Sequence, residues 1–367
     1  MSRYVRCTAW TAALCALNLV TWAAPPPPPA NLSAALHSKA IRTVLRRVAD
    51  RQLEQLPAQP GDRSANFGVL ATGLMSAAHT LGDDRLNQPV LATGEQFHWT
   101  IEHTAQHASD NFALAQAYLD TYHGNKDEDR IAPLRRRLDS DLQTPFDPET
   151  PLWQSAEELF MEPPAAMQLA EITGDAIYEA FVNREWGRTR KLLYDNQLHL
   201  YVGNRSALTQ QEKNGKKHCE AQANGWAIAG LARLIAVLPP DDPLRPYYID
   251  QLRAMAAALS AVQAEDGLWH PNLLDSATSP LPDTAASSLI AYALAWGIHH
   301  RQLDAQIYLP VLDRAWQGLV AHIDASGKLG SMQTAAGLSP ETTTEFGVGA
   351  FFLAGSEIDA VSQRKRW

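Results

Sequence analysis

The dominant pattern along the chain is a helical hairpin that recurs. An apolar helix ends at Gly or Pro, and a short polar turn leads into a second amphipathic helix. Residues 74–99 and 167–186 share the pattern closely, and 117–125, 231–240 and 292–298 repeat it more loosely. Because one such hairpin cannot bury its own apolar face, the repetition predicts stacked helical units.

The apolar spacing predicts about twelve helices and almost no period-two strand pattern. The predicted spans are 32–55, 66–81, 86–101, 109–123, 127–140, 161–173, 175–193, 224–238, 245–263, 284–298, 304–323 and 345–358. Alternating helices in this number favour an all-α toroid, with inner helices around an axis and outer helices around them. A four-helix or solenoid arrangement is the alternative. The inner helices should be rich in Ala and Gly, as in 225–238, because they approach closely.

The N-terminal residues have the pattern of a secretory signal. Two arginines precede an apolar run that is short for a membrane span, and small residues then precede five prolines. We therefore expect a signal peptide over 1–24, a Pro-rich spacer over 25–31 and a single domain over 32–367. The expected location is secreted or periplasmic, without stable membrane insertion after cleavage; a lone membrane anchor is the alternative.

Charge and cysteine content narrow the function further. The formal net charge is -9, and the acidic chain has no basic run, which argues against nucleic acids and anionic membranes as partners. Cys7 and Cys15 lie in the predicted signal, so Cys219 would be alone in the mature chain and no internal disulfide is expected.

Motifs for metal or cofactor chemistry are not found in the sequence. The adjacent pair His299-His300 is expected to point its rings apart on a helix, so no metal site is predicted. The chain has no Gly-rich phosphate loop after a strand and no Gly-x-Ser-x-Gly turn. No cofactor is expected.

Carboxylates and aromatics near predicted helix starts are the candidate functional residues. Glu157 and Glu158 are adjacent, so only one can face the axis, as a general acid or as a charge in the first helical turn. The binding candidates are Asp110, Asn111, Glu220, Gln222, Asn224, Trp226, Trp269 and His270. For several of them a role without substrate contact is an alternative: Asp110 could cap a helix, Trp226 could pack in the core, and His270 could lie in a solvated loop. Together they are typical of a carbohydrate site.

Several ordered blocks resemble glycoside hydrolase families 88 and 105, the unsaturated glucuronyl and rhamnogalacturonyl hydrolases. The blocks are Glu-Leu-Phe-Met at 158–161, Asn-Gly-Trp at 224–226, Asp-Gly-Leu-Trp at 266–269 and Phe-Gly-Val-Gly-Ala-Phe-Phe at 346–352. The resemblance implies an (α/α)6 barrel without metal or organic cofactor. It also implies removal of a 4,5-unsaturated uronic acid from oligosaccharides left by a polysaccharide lyase, with pectin or rhamnogalacturonan as the source. In that mechanism an acid protonates the double bond, water adds, and the hemiketal opens.

The same resemblance implies substituted site positions. The catalytic Asp of the family falls on Glu157, a second acid on Asn111, a Trp on Glu220 and an Arg on Gln222. The leading hypothesis is an exported hydrolase of this kind, with Glu157 as the acid and an oligosaccharide as its partner. The alternatives are a sugar-binding pseudoenzyme of the same fold, or a glycosidase for other sugars that pairs Glu157 with Glu220 or Asp283. The oligomeric state is left open.

Overall fold

The structure, a computed structural model, describes residues 32–56, 63–101 and 111–364. These residues form twelve α-helices and two short β-hairpins. The helices are α1 (Ser38–Gln55), α2 (Ala65–Leu81), α3 (Gln88–Gln96), α4 (Phe112–Gly124), α5 (Ala132–Leu142), α6 (Glu158–Thr173), α7 (Ala176–Leu193), α8 (Ala221–Val237), α9 (Arg245–Ala261), α10 (Thr284–His299), α11 (Ala305–Ala321) and α12 (Glu345–Gln363). The antiparallel hairpins pair β1 (Tyr194–Asp195) with β2 (Leu200–Tyr201), and β3 (Met332–Thr334) with β4 (Gly337–Ser339). The predicted signal and spacer lie outside the described residues.

The even-numbered helices form a closed inner ring. Helix α2 packs on α4, α4 on α6, α6 on α8, α8 on α10, α10 on α12, and α12 returns to α2. Outer helices lie behind them, with α1 against α12, α7 against α6, α9 against α8 and α11 against α10. This arrangement confirms the predicted (α/α)6 barrel. None of the described helices is long and apolar enough to cross a membrane.

Inner and outer helices differ in burial, as the hydrophobic pattern requires. Residues 284–298 of α10 are all buried, whereas α9 buries only one face. A helix that is apolar on all sides belongs in the interior, and one with a single apolar stripe covers a core. The Ala- and Gly-rich α8 lies in the inner ring, as predicted.

Small residues permit the closest contact in the ring, between α2 and α12. Gly73 and Gly349 face each other, and a Cβ on either would overlap the backbone of the other helix. Such an overlap cannot be relieved by rotating a side chain, because the obstacle is main chain.

Replacement of Gly349 by Ala is therefore expected to lower the free energy of unfolding by about 1–3 kcal/mol. Gly187 is the matched control, because it lies in the interior of α7 and a Cβ there would meet nothing within 4 Å. Gly187→Ala should stabilise the protein by about 0.5–1 kcal/mol, since Ala is the better helix former. Urea unfolding of both variants measures the contrast, and equal effects would contradict it.

A buried polar contact links the neighbouring inner helices α4, α6 and α8. Helix α6 contains Pro163 and Pro164, and the ring nitrogen of Pro164 cannot donate to the carbonyl of Phe160 four residues earlier. The buried Gln116 of α4 donates its amide to the carbonyls of Phe160 (2.7 Å) and Met161 (2.9 Å). Arg233 of α8 in turn donates to the amide oxygen of Gln116. These hydrogen bonds join three inner helices, and one of them uses the Phe160 carbonyl, which has no intrahelical donor because residue 164 is a proline.

Candidate active site

All inner helices run in the same direction, because each outer helix returns the chain to the starting end. Their first residues therefore surround one opening, the N-terminal mouth, and their last turns surround the other, the C-terminal mouth. Three predicted site residues, Asn111, Glu157 and Glu220, immediately precede α4, α6 and α8. The fold thus brings them to the same mouth. Asp110 lies outside the described residues.

A cavity of about 450 Å³ opens at this mouth between the starts of α8 and α10. Its size is in the range of small-molecule sites. Its polar wall includes Glu220, Gln222, Asp283 and Gln333, and Pro280, Leu281 and Leu338 supply apolar surface. The β3–β4 hairpin and the loop 271–281 contribute part of its lining. Of the predicted binding residues, Glu220 and Gln222 line this cavity.

Glu157 and Glu158 have different environments, although they are adjacent. The Glu158 carboxylate accepts hydrogen bonds from the backbone N–H groups of Gln154 (2.6 Å) and Ser155 (2.8 Å), which fixes the entry to α6. Glu157 precedes the helix, and its side chain is exposed. Glu158 therefore has a structural role, and Glu157 is the carboxyl of this pair that a substrate can reach.

The segments that carry Glu157 and Glu220 meet at Gly203. The backbone N–H of Ala156 donates to the Gly203 carbonyl (2.9 Å). On the other side, a Cβ at Gly203 would lie 2.9 Å from a carboxylate oxygen of Glu220. A side chain at this position would displace the Glu220 carboxylate from its place against the Gly203 backbone. The two carboxylates thus belong to adjacent parts of one mouth.

His218 is a functional candidate that the sequence interpretation missed. Its ring nitrogens lie 2.6 Å from Glu212 and 2.9 Å from Glu220. Burial lowers the pKa of His218, but the hydrogen bonds that its ring can donate to the two carboxylates outweigh burial, and the net pKa is raised. When protonated, the His218 ring would offset the negative charge of Glu220. The available signal was a histidine in the long 198–224 loop with Glu212 six residues before it and Glu220 two residues after it.

Three predicted binding residues are buried in the scaffold. Asn224 exchanges hydrogen bonds with the backbone of Tyr201 (2.8 and 2.9 Å) and so attaches β2 to α8. Trp226 is 3% exposed and packs between Phe160 and Phe346. Trp269 is fully buried, and its indole N–H donates to the Leu259 carbonyl (2.8 Å). The core-packing alternative for Trp226 thus fits its position, and none of the three lines the mouth cavity.

His270 is held within its own loop. One ring nitrogen lies 2.5 Å from the Ser279 carbonyl, and the other lies 3.1 Å from the Asp266 carboxylate. Burial lowers its pKa, but these two acceptors outweigh burial and raise the net value. His270 therefore stabilises the 266–279 loop, part of which lines the cavity. Asn111 is also buried, at the start of α4, and its side chain makes no capping hydrogen bond.

Asp283 is the most perturbed carboxyl in the cavity wall. It is 1% exposed and caps α10 by accepting from the N–H groups of Ala285 and Ala286. Burial raises its pKa to about 6 and outweighs these backbone hydrogen bonds, which lower it. In the sequence interpretation Asp283 had only a secondary role, because the sequence of a helix start does not reveal how deeply its cap residue is buried.

Asp283 should make the stability pH-dependent. Since its folded-state pKa lies above the ordinary aspartate value of 3.8, the folded state binds the proton more tightly than the unfolded state, and stability falls as pH rises from about 4 to about 6. Asp283→Asn, which keeps a capping oxygen, should remove roughly 2–3 kcal/mol of this dependence. Urea unfolding at a series of pH values measures it. Asp304→Asn is the control, because Asp304 caps α11 in an exposed position. A slope unchanged in Asp283→Asn would contradict this assignment.

Comparison with known proteins agrees with the fold described above. The model of Glycosyl Hydrolase Family 88 matches residues 42–361. An unsaturated 3S-rhamnoglycuronyl hydrolase from Formosa agariphila is 28% identical over 309 residues, which cover 77% of this chain and 81% of that protein.

Two solved structures share the fold closely. A family 88 glycosyl hydrolase from Bacteroides vulgatus has a TM-score of 0.82 and 25% identity, covering 88% of this chain and 98% of that one. A protein described as a polysaccharide lyase has a TM-score of 0.83 and 25% identity. The match covers 90% of this chain and 99% of that one. The matches span the whole barrel and agree with the resemblance seen in the sequence. The chain therefore belongs to glycosyl hydrolase family 88.

Proposed function

We propose that this protein removes a 4,5-unsaturated uronic acid from the end of lyase-derived oligosaccharides. Family membership indicates a hydrolase, and the name of the Formosa agariphila relative supports an unsaturated rhamnoglycuronyl substrate. The observation that carries the proposal is the exposed carboxyl of Glu157 at the N-terminal mouth. The carboxylate of its neighbour Glu158 instead accepts a hydrogen bond from the backbone N–H of Ser155, just before α6.

The chemistry requires a proton donor and water, and both can be supplied at this mouth. Glu157 would protonate one carbon of the carbon–carbon double bond of the sugar. Water would add to the other carbon of that bond and return its proton to the Glu157 carboxylate. The resulting hemiketal opens and breaks the link to the rest of the oligosaccharide. Gln222, in the cavity wall, offers amide donors to the uronate, and His218 reduces the repulsion that Glu220 would exert on it.

An assay with an unsaturated galacturonyl-rhamnose disaccharide tests this function. Loss of the conjugated ultraviolet band, with release of rhamnose, is the expected result. A gain of ultraviolet absorbance from a saturated polysaccharide would instead indicate lyase chemistry, consistent with the name of one structural relative. Binding without turnover would support the pseudoenzyme alternative, and product from a saturated disaccharide would support a conventional glycosidase. Any of these three outcomes would contradict the proposal.

We also propose that the protein is exported, on the basis of the N-terminal pattern of arginines, apolar run and small residues. The expected result is a mature protein in the extracytoplasmic fraction that begins near residue 25. Intact-mass measurement of the protein from each cell fraction tests this. A chain that keeps its first 24 residues would contradict cleavage.

A further inference from the structure

The C-terminal mouth of the barrel holds a second cavity, at the opposite end from the site described above. Its volume is about 840 Å³, and all six inner helices contribute to its wall. Two lining residues, Gln168 and Ser356, are 8% and 7% exposed. Each has a side-chain oxygen without a hydrogen-bond partner among the described residues. The cavity is therefore polar enough to hold water or a hydrated ligand.

Three potential metal ligands converge at the rim of this cavity. Each of these residues offers one ligand atom, and the three atoms all lie within 4.8 Å of one another. The residues are His299, His300 and Glu357. Contrary to the sequence expectation, the two histidine rings do not point apart, because α10 ends at His299 and His300 has left the helical conformation. Their ring centroids lie 4.6 Å apart. His299 and Glu357 both line the cavity.

The surrounding structure orients these side chains. The His300 ring stacks on Trp296, with centroids 4.5 Å apart, and its Nδ1 lies 3.0 Å from the Trp296 carbonyl. A proton on Nδ1 leaves the lone pair on Nε2, where a metal can bind. The Nδ1 of His299 lies 2.9 Å from a carboxylate oxygen of Glu357, which joins α10 to α12. The three groups are held near each other before any ion arrives.

We propose that His299, His300 and Glu357 form a binding site for a divalent transition metal, for which Zn²⁺ is the appropriate probe. Two imidazoles and a carboxylate match the ligand preference of Zn²⁺, and three protein ligands leave a position for water on the cavity side. The C-terminal end of α10 also favours a cation, because the helix dipole is negative there. This site does not depend on the function proposed for the N-terminal mouth.

Isothermal titration calorimetry of the untagged, chelator-treated protein with ZnCl₂ tests the site. We expect one Zn²⁺ per chain with a dissociation constant in the micromolar range or tighter. His300→Gln and Glu357→Gln should each weaken binding at least about tenfold. His79→Gln is the matched control, because His79 lines the same cavity on α2 without belonging to the cluster, and it should bind as the wild type does. Substoichiometric binding, or binding that survives both cluster substitutions, would overturn the proposal.

A fluorescence measurement locates the ion independently. A paramagnetic ion such as Cu²⁺ at this cluster would quench Trp296, since its indole stacks on His300. Trp296→Phe keeps an aromatic ring in the stack and should lose most of the saturable quenching, and His300→Gln should lose it as well. Circular dichroism melting verifies that both variants are folded. Unchanged quenching in Trp296→Phe would place the metal elsewhere and refute the assignment.

Discussion

Glu157→Gln is expected to lower kcat for an unsaturated galacturonyl-rhamnose disaccharide by about 10²–10⁴-fold. Gln has nearly the shape of Glu but cannot donate a carboxylic proton to the double bond. Because Glu157 is exposed before the first turn of α6, the free energy of unfolding should hardly change. Steady-state kinetics by ultraviolet absorbance, together with a urea denaturation curve, measures both quantities.

Glu158→Gln is the matched control, because it removes the same charge from the next residue. The amide oxygen of Gln can still accept from the N–H groups of Gln154 and Ser155, although more weakly than a carboxylate. We expect a loss of about 1 kcal/mol of stability and a kcat within a few-fold of the wild type. If Glu157→Gln retained full turnover, Glu157 would not be the acid. Asp283, the buried carboxyl of the same mouth, would then be the next residue to test.

Gln116→Leu is expected to cost about 2–4 kcal/mol of stability, the largest effect among the scaffold variants. Leu fills a similar volume, but the carbonyl of Phe160 loses its donor and Arg233 loses its acceptor in the barrel interior. A buried polar group without a partner costs more than the hydrogen bond itself contributed. Urea unfolding monitored by circular dichroism measures the loss.

A double-mutant cycle identifies the cause of that loss. Pro164→Ala restores an N–H that can donate to the Phe160 carbonyl, so in this background the penalty of Gln116→Leu should fall by about 1 kcal/mol or more. Pro163→Ala is the control, because its new N–H would serve the carbonyl of Leu159, which Gln116 does not contact. An equal penalty in the two proline backgrounds would show that Gln116 acts through packing alone.

Much of the fold follows from local pattern. All twelve predicted helices are present, and the ends of α2 and α6 lie at Gly82 and Gly174, where left-handed backbone suits glycine. Helix boundaries differ from the predicted ones where capping interactions, rather than the periodicity of apolar residues, determine the helix end. For example, the helix predicted from 161 starts at Glu158, because the Glu158 side chain satisfies the backbone N–H groups that precede it.

The candidate site was less predictable, because burial is not a local property. Asn224, Trp226 and Trp269 have residue types typical of sugar binding, yet each is covered by neighbouring elements. A buried Asn or Trp and a ligand-binding one have the same sequence signature, because both need a polar partner and an apolar surface. Whether such a residue is buried or binds a ligand depends on which neighbouring elements the tertiary structure packs against it.

The sequence by itself determined the twelve helices, the Ala- and Gly-rich inner set and the family resemblance, because these depend on periodicity and on ordered motifs. The tertiary structure decided which carboxyl of the Glu157–Glu158 pair is exposed and how deeply Asp283 is buried. It also brought Glu357 of α12 to His299 and His300 at the end of α10. Closing the ring sets these relations, since it places helix ends that are far apart in the chain around the same mouth.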